Sequence, residues 1–415
     1  MSTEASGTSD LDTTPDLVPL VEPAEGVPAV IARPDHLAAA VEAFSLGTGP
    51  VAVDAERASG YRYGQSTYLV QMRREGAGTV LIDPIALPDL SAMSEALRGV
   101  EWVFHAASQD LPGLAEQGLR PSRVFDTELG ARLLGMERVG LAAVVAELLG
   151  LSLAKEHSAV DWSTRPLPED WLRYAALDVE VLIELREIIA ERLAVSGKAE
   201  WAAQEFEAVR TAPPAEPKVD PWRKVSGLHA IRDRRRLAVV REMWLTRDEN
   251  ARRRDIAQGR VLPDRAIVAA ATALPRSVDQ LVALPAFSGK GTRRRAALWQ
   301  AAIDRALHLP EDALPSLRGP RADGPPPPRA WAERDPEAAA RLAAARAVMQ
   351  EIAATHTLPV ENLLQPDLLR RLCWRPPTID VEHVAEALRA GGARAWQVDL
   401  VAAPVTHALV SVTVE

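Results

Sequence analysis

Two acidic side chains lie one residue apart inside a stretch that otherwise has the composition of a buried strand. Val51 and Val53 are β-branched, which favours a strand, and Asp54 and Glu56 follow at alternate positions. Side chains alternate between the two faces of a strand, so both carboxylates are predicted to point the same way. A hard divalent cation such as Mg²⁺ or Mn²⁺ would relieve their repulsion. The alternative is an edge strand that shows an acidic face to water.

Two later segments place further carboxylates at predicted element boundaries. Asp110 follows a short apolar strand that ends at His105, at the point where a helix begins, and could equally cap that helix. Tyr174 and Asp178 are four residues apart in a helix predicted to start near Glu169, so they share one face of it. Taken alone, this pair also has an ordinary explanation, a surface or partly buried hydrogen bond.

The elements around these residues are predicted to alternate between helices and strands. A helix at 34–44 precedes the first acidic strand, strands at 66–72 and 79–82 follow, and helices then alternate with short strands up to residue 149. This pattern indicates an α/β layer fold with a mixed sheet. Residues 1–28 are rich in Ser, Thr, Pro and acids and are predicted to be a disordered tail.

Composition limits the class of protein. The chain has 415 residues and is 47% hydrophobic, so it can bury more than one core. Its single cysteine, Cys373, excludes an internal disulfide and a Cys-based zinc site and favours a reducing compartment. No apolar run approaches the ~20 residues of a membrane span, and the amino terminus has no targeting signal, so we expect a cytoplasmic protein without a membrane partner.

Charge is unevenly distributed along the chain. The net charge is −9, yet residues 222–307 contain 19 Lys/Arg and only 8 Asp/Glu. A basic segment beside an acidic one is typical of a module that binds a polyanion next to a cation site. A solvated helical surface has the same composition, so charge alone leaves both interpretations open.

Together, the three acidic segments resemble the three motifs of the DEDD exonuclease superfamily in its tyrosine subgroup. More narrowly, HAASQDL, FDTELGARLLG and DWSTRPLPEDWLRYAALDV are similar to ribonuclease D. This resemblance implies a ribonuclease H-like fold and a metal-dependent 3′→5′ exoribonuclease that releases nucleoside 5′-monophosphates, with transfer RNA precursors as substrates. Two positions depart from the family pattern. Arg57 replaces the usual aromatic or apolar residue after Glu56, and Gln109 replaces a common acid before Asp110.

The resemblance also implies a role for each motif residue. Asp54, Glu56 and Asp178 would share a first divalent ion, Asp54 would bridge to a second, and Asp110 would act on the second mainly through waters. Tyr174 would orient and help to deprotonate the attacking water, although a phenol of pKa about 10 leaves most of the activation to the metal. Two Mg²⁺ or Mn²⁺ ions are therefore the expected cofactors.

Other residues are candidates for contact with nucleic acid. Trp162 could stack on a terminal base, although a core position is the ordinary explanation, and Arg57 could contact a phosphate. His105 is expected to form a hydrogen bond at the strand end rather than to bind metal. Residues 222–310 are similar to the helicase and ribonuclease D C-terminal (HRDC) domain, a small helical bundle. Its candidates for backbone contacts are Arg252, Arg253, Arg254, Lys290, Arg293, Arg294 and Arg295. The alternative for this set is a solvated surface paired with neighbouring acids.

These segments give a domain map. The predicted order is a disordered tail (1–28), a 3′–5′ exonuclease domain (29–212), a linker (213–221), an HRDC domain (222–310), a Pro-rich linker (311–330) and a diverged second HRDC-like helical domain (331–415). The last residues, 405–415, are expected to form a strand or a loose tail. Removing everything after residue 221 is expected to weaken binding of long substrates and to leave the chemistry intact.

The leading hypothesis is a monomeric enzyme that acts on RNA 3′ ends. Two others stay open. One is a DNA 3′–5′ exonuclease, because contacts to the 2′-hydroxyl cannot be identified from sequence. The other is a catalytically inactive nucleic-acid-binding protein, which the complete set of four carboxylates and a tyrosine disfavours.

Overall fold

The computed structural model describes residues 17–154, 157, 159–319 and 324–413. They form three units: an α/β unit (residues 17–212), a middle bundle (residues 221–314) and a carboxyl-terminal unit (residues 324–413). The last two are helical. This confirms the predicted fold class, an α/β domain with a mixed sheet followed by all-α bundles.

The α/β unit contains the strands and the first group of helices. Its strands are β1 (Val18–Leu20), β2 (Val30–Ile31), β3 (Thr48–Arg57), β4 (Thr67–Glu75), β5 (Gly78–Ile82), β6 (Glu101–Phe104), β7 (Arg123–Asp126) and β8 (Leu151–Leu153). Its helices are α1 (Pro34–Leu46), α2 (Ser91–Ala96), α3 (Leu111–Glu116), α4 (Thr127–Leu133), α5 (Leu141–Leu149), α6 (Glu169–Glu180), α7 (Leu182–Val195) and α8 (Ala199–Arg210).

The central position of β3 determines which way its carboxylates point. The six-stranded sheet has the order β2-β5-β4-β3-β6-β7, with β3 antiparallel to β4 and parallel to β6. Val51 and Val53 pack in a cluster with residues of α1 and α2, whereas Ala52 packs in a cluster with residues of α6 and α7. Because side chains alternate, Asp54 and Glu56 lie on the Ala52 face, towards α6.

The predicted disordered tail is only partly within the described residues. Residues 1–16 lie outside them. The rest of the tail differs from the prediction: β1 pairs in parallel with β8, with Val18 opposite Leu151, and the Ala24 amide donates to Glu180 Oε1 at 2.9 Å. Composition alone missed this pairing because a three-residue strand takes its hydrogen bonds from a partner far along the chain.

The middle bundle has its own hydrophobic core. Its helices are α9 (Arg234–Arg254), α10 (Gln258–Val261), α11 (Asp264–Ala273), α12 (Val278–Val282), α13 (Lys290–Arg294) and α14 (Ala296–His308). Trp299 and Ile303 of α14 are fully buried in one cluster with Met243 of α9 and Ile267 of α11. The bundle therefore buries its apolar surface largely within itself.

The carboxyl-terminal unit shares its core with the α/β unit. Its helices are α15 (Trp331–Arg334), α16 (Pro336–Thr355), α17 (Val360–Leu363), α18 (Pro366–Trp374), α19 (Val381–Ala390) and α20 (Ala395–Thr413). One cluster of buried side chains joins Phe125, Ile189 and Phe206 of the α/β unit to Leu342 and Val401 of this unit. Removing everything after residue 221 would expose that shared core, so the expectation that truncation leaves the chemistry intact is not supported.

Polar contacts reinforce the shared core. Trp396 stacks on Trp201 with ring centroids 4.9 Å apart, and its Nε1 donates to Glu205 at 3.0 Å. The Lys198 ammonium donates to the main-chain oxygens of Leu133 and His356, both at 2.6 Å. Since Lys198, Trp201 and Glu205 lie at or next to α8, this helix is the main link between the two units.

The expected strand or loose tail after residue 405 is wrong within the described residues. α20 continues to Thr413 and contains Pro404. Val398, Val401, Val405 and Leu409 are buried, and their spacing of three and four residues is that of a helix face. Residues 395–412 are also apolar and long enough to span a membrane, but half of that window is buried inside the protein. The buried half is explained by its packing in the shared core.

Candidate active site

Strand β3 and helix α6 bring the predicted acidic residues together. Asp54 and Glu56 lie on one face of β3, and α6, which carries Asp178, packs against β3, β4 and β5. Carboxylate oxygens of Asp54, Glu56 and Asp178 all lie within 4.8 Å of one another. Asp110 precedes α3 and makes no side-chain cap hydrogen bond, so the capping alternative does not describe it.

These side chains line one pocket of about 230 Å³. Its other walls are equally polar and apolar. The lining residues are Asp54, Ala55, Glu56, Arg57, His105, Gln109, Asp110, Leu141, Tyr174, Asp178 and Leu182. All four predicted carboxylates and the predicted tyrosine therefore face one space.

The pocket is electrostatically unfavourable when it holds protein atoms alone. Burial raises the pKa of Asp54. Burial together with repulsion from neighbouring carboxylates raises the pKa of Glu56 and of Asp178 well above the ordinary values. Burial and the charge of Asp54 raise the pKa of Asp110 to about 8. Among the residues that the structure describes, none of the four forms an ion pair with Lys or Arg within 4.0 Å. Clustered carboxylate oxygens that no described cation pairs with fit a divalent metal ion.

Tyr174 lies one helical turn before Asp178 and faces the same carboxylates. Burial raises the pKa of its hydroxyl well above the ordinary value, and the charges of Asp178 and Glu56 act in the same direction. The phenol therefore stays protonated at neutral pH. It can orient a water molecule by hydrogen bonding, but it is a poor base.

Two buried side chains that sequence reasoning did not assign to the site support its aspartates. Gln71 on β4 is fully buried and donates Nε2 to Asp54 Oδ2 at 3.0 Å. Asp126 accepts from the amides of Ala106 and Ala107 at 3.1 and 2.8 Å, and it also caps α4. It thereby fixes the loop that leads to Asp110. The available signal was an Asp directly after a strand and before a helix in FDTEL, the pattern of an N-cap.

The predictions for the two ring side chains near the motifs have different outcomes. His105 Nδ1 lies 2.8 Å from the Thr127 hydroxyl, and burial lowers the pKa of the imidazole to about 4, in line with the predicted hydrogen bond. The predicted stacking of Trp162 on a terminal base is wrong, because its ring is fully buried. Trp162 packs instead against Trp171 and Tyr174, with ring centroids 5.5 and 6.4 Å away.

The middle bundle holds the loop that follows β3. The Ala257 amide donates to the Tyr61 main-chain oxygen at 2.9 Å, and the Tyr63 hydroxyl donates to Asp248 at 3.0 Å. Arg62 contacts both Ser163, at 2.7 Å, and Asp255 of the bundle, at 3.4 Å. Arg62 therefore links the loop after the first motif both to the third motif and to the bundle.

The predicted basic residues form a patch on the middle bundle at the end of α9 and along α13. Arg252 pairs with Asp248 at 2.9 Å and is partly neutralised. Burial lowers the pKa of Arg295, and the charges of Arg254 and Arg294 add to that effect, so these cations lie close together. Six residues form no ion pair with any described side chain within 4.0 Å: Arg253, Arg254, Lys290, Arg293, Arg294 and Arg295.

Family models match all three units. A model described as 3′-5′ exonuclease matches residues 28–194, an HRDC domain model matches residues 236–303, and a model described as 3′ to 5′ exonuclease C-terminal domain matches residues 324–409. The description of the third model differs from the predicted second HRDC-like domain. The HRDC-like character of this unit and the exact domain boundaries stay predictions.

Known proteins resemble the chain over most of its length. A ribonuclease D of Gluconacetobacter diazotrophicus is 32% identical over 310 residues, which are 71% of this chain and 77% of that protein. The crystal structure of a protein from Bifidobacterium adolescentis is 40% identical, with a TM-score of 0.88 over 95% of this chain and 99% of that one. The chain in the crystal structure of Escherichia coli RNase D, an exoribonuclease involved in structured RNA processing, is 26% identical to this one. The two superpose with a TM-score of 0.64 over 88% of this chain and 99% of that one.

Proposed function

The chain belongs to the ribonuclease D family, and on that premise we propose that its carboxylate pocket removes nucleotides from the 3′ ends of RNA. It is a 3′–5′ exoribonuclease by family. The observation that carries the site assignment is the convergence of Asp54, Glu56, Asp110, Tyr174 and Asp178 on one pocket of the α/β unit. The expected products are nucleoside 5′-monophosphates.

Two divalent cations, Mg²⁺ or Mn²⁺, fit the set of oxygen ligands in this pocket. Asp54, Glu56 and Asp178 would hold the first, and Asp54 and Asp110 would hold the second. When bound, these cations supply Lewis-acid stabilisation of the charge that develops on the reacting phosphodiester. Gln71 holds Asp54 at 3.0 Å, and Asp126 fixes the loop before Asp110, so the ligands are oriented by buried partners.

Tyr174 has a different task from the carboxylates. Its hydroxyl stays protonated because burial raises its pKa, so it hydrogen-bonds the attacking water and orients it without removing its proton. His105 is a weak base, because burial lowers its pKa to about 4, and its Nδ1 is engaged by Thr127. Neither ring supplies a general base at neutral pH.

The basic patch is proposed to bind the RNA backbone. Its six cations that pair with no described carboxylate lie on the HRDC-matched bundle, which also contacts the loop after β3. Phosphate contacts of this kind add affinity and little sequence specificity. We propose structured RNAs such as transfer RNA precursors as substrates and a monomer in the cytoplasm as the active form. A buried, unpaired Cys373 fits a reducing compartment.

A time course on end-labelled oligonucleotides tests this function. Matched 3′-labelled and 5′-labelled RNA and DNA are incubated with Mg²⁺, Mn²⁺ or EDTA and either wild type or Asp54→Asn. Metal-dependent release of mononucleotides from the RNA 3′ end, absent in the variant, is the expected result. Faster release from DNA would favour a DNA exonuclease. Binding without cleavage under any metal would favour an inactive binding protein.

A further inference from the structure

Arg57 is a positive charge inside the carboxylate pocket, and the sequence suggested for it only an unspecified contact with a phosphate. It lines the pocket together with Asp54, Glu56 and Asp110. Burial raises the pKa of each of these carboxyls, and the charge of Arg57 acts against that effect in all three. Its guanidinium therefore lies close enough to interact with the carboxylates on β3 and the one before α3.

An irregularity at the end of β3 explains how Arg57 enters the pocket. Strict alternation would point it away from the face that carries Glu56. However, Glu56 pairs with Leu69 of β4 whereas Arg57 pairs with Thr67, so the register shifts between these two positions. Such bulges re-aim side chains next to active sites. Glu56 and Arg57 are adjacent in sequence, and both line the pocket.

The hydrogen bonds of Arg57 are to neutral groups. Its Nη1 donates to the main-chain oxygen of Gln109 at 2.9 Å, and its Nη2 lies 3.5 Å from Gln109 Oε1. Across the described parts of the chain, no carboxylate forms an ion pair with it within 4.0 Å. A guanidinium has five N–H donors, so Gln109 orients Arg57 while leaving donors and the full charge available. The two positions that depart from the motif pattern are thus in direct contact.

We propose that Arg57 binds a non-bridging oxygen of the scissile phosphodiester, an inference that rests on the pocket being the nuclease site proposed above. A guanidinium remains charged at any assay pH and matches phosphate oxygens with paired donors. The carboxylates around it cannot bind a phosphate themselves, because like charges repel. Arg57 therefore supplies, from the protein itself, a positive charge at the reacting group, next to the cations that the carboxylates hold.

Substitution at position 57 tests this contact kinetically. Arg57→Met removes the charge and keeps a long unbranched side chain, and it should lower kcat on an oligoribonucleotide about 10- to 100-fold, the range for a hydrogen bond to a charged group. KM should change much less. Arg57→Lys should retain part of the rate, since it keeps the charge and loses the paired donors. Arg98→Met is the matched control, because Arg98 is exposed outside the pocket and should leave kcat unchanged.

A binding measurement gives a second readout that does not depend on turnover. The probe is adenosine 5′-monophosphate in Mg²⁺, because a reaction product carries its phosphate where the scissile group was. Calorimetry should show about tenfold weaker binding to Arg57→Met than to wild type. Wild-type kcat and nucleotide affinity in this variant would overturn the proposal. So would full recovery of its rate at high Mn²⁺, which would assign Arg57 to metal occupancy instead.

The two proposals can fail separately in these experiments. If wild type cleaves RNA and Arg57→Met is indistinguishable from it, the phosphate contact is wrong and the nuclease site stands. If wild type binds the nucleotide in an Arg57-dependent manner but cleaves no RNA, the proposed function is wrong and the phosphate contact stands.

Discussion

Trp396 joins the carboxyl-terminal unit to the nuclease domain, so its removal should destabilise the nuclease itself. The ring is only 3% exposed, stacks on Trp201 and donates to Glu205. Replacing a buried Trp by Ala costs about 3–5 kcal/mol. Glu205 would keep Arg394, 2.8 Å away, so no uncompensated charge is left. We therefore expect Trp396→Ala to cost about 4 kcal/mol of unfolding free energy.

Calorimetry with a parallel activity assay measures this effect. At about 2 °C per kcal/mol for a large domain, the transition that carries nuclease activity should shift down by ~8 °C. Trp299→Ala is the matched control, because Trp299 is fully buried in the separate core of the middle bundle. It should lower the transition of the bundle alone. If Trp396→Ala melted the carboxyl-terminal unit early while nuclease activity survived to the wild-type temperature, the shared core would not be one cooperative unit.

Three further predictions concern the loop before Asp110, the pH dependence of the pocket and the basic patch. Asp126→Ala removes the acceptor of four main-chain amides and should lower both the unfolding free energy, by about 1–3 kcal/mol, and kcat. Asp126→Asn should be intermediate in both. Wild-type kinetics in the Ala variant would show that the loop needs no support from Asp126. Because the pKa of Asp110 is raised to about 8, the folded cation-free protein holds a proton that the unfolded chain releases. Its stability should therefore fall as pH rises from about 4 to 8. Thermal melts of Asp110→Asn should show a weaker pH dependence, and Mn²⁺ should stabilise wild type most near pH 8; a wild-type pH profile in the variant would exclude Asp110 as the source. Replacing Arg293, Arg294 and Arg295 together by Gln should reduce the slope of log binding constant against log salt concentration by about 2, because each phosphate contact on a single strand contributes ~0.7. An unchanged slope would show that these residues do not contact the RNA backbone.

The carboxylates of the site could be predicted because their spacing is a local property. Asp54 and Glu56 share a face through strand alternation, and Tyr174 and Asp178 through helical periodicity. The structure brings both pairs into one pocket, as the resemblance to known motifs implied. Asp110 was ambiguous as a possible cap, and only the structure resolves its position, because its side chain makes no cap hydrogen bond and lines the pocket with Asp54.

The remaining features depend on contacts between distant segments. Trp162 is buried by α6, and a tryptophan in a polar motif does not reveal that burial. The valines of α20 have high strand propensity, yet packing on α16 and α8 overrides it. The entry of Arg57 into the pocket depends on a register shift between β3 and β4. Sequence spacing cannot show such a shift, although a shift of one residue in the strand pairing is enough to move a side chain to the other face of the sheet.

The most direct test of the carboxylate site is Mn²⁺ binding and RNA hydrolysis by Asp178→Asn, measured on the same preparation. Glu180→Gln is the control, since Glu180 lies two residues further along α6 and its carboxylate accepts from the Ala24 amide instead of lining the pocket. We predict that Asp178→Asn no longer binds Mn²⁺ and keeps its affinity for RNA. Its hydrolysis rate should fall by more than the ~100-fold expected for residues that only support a metal ligand, whereas Glu180→Gln should behave as wild type. Wild-type hydrolysis by Asp178→Asn would contradict the assignment of this pocket as the active site.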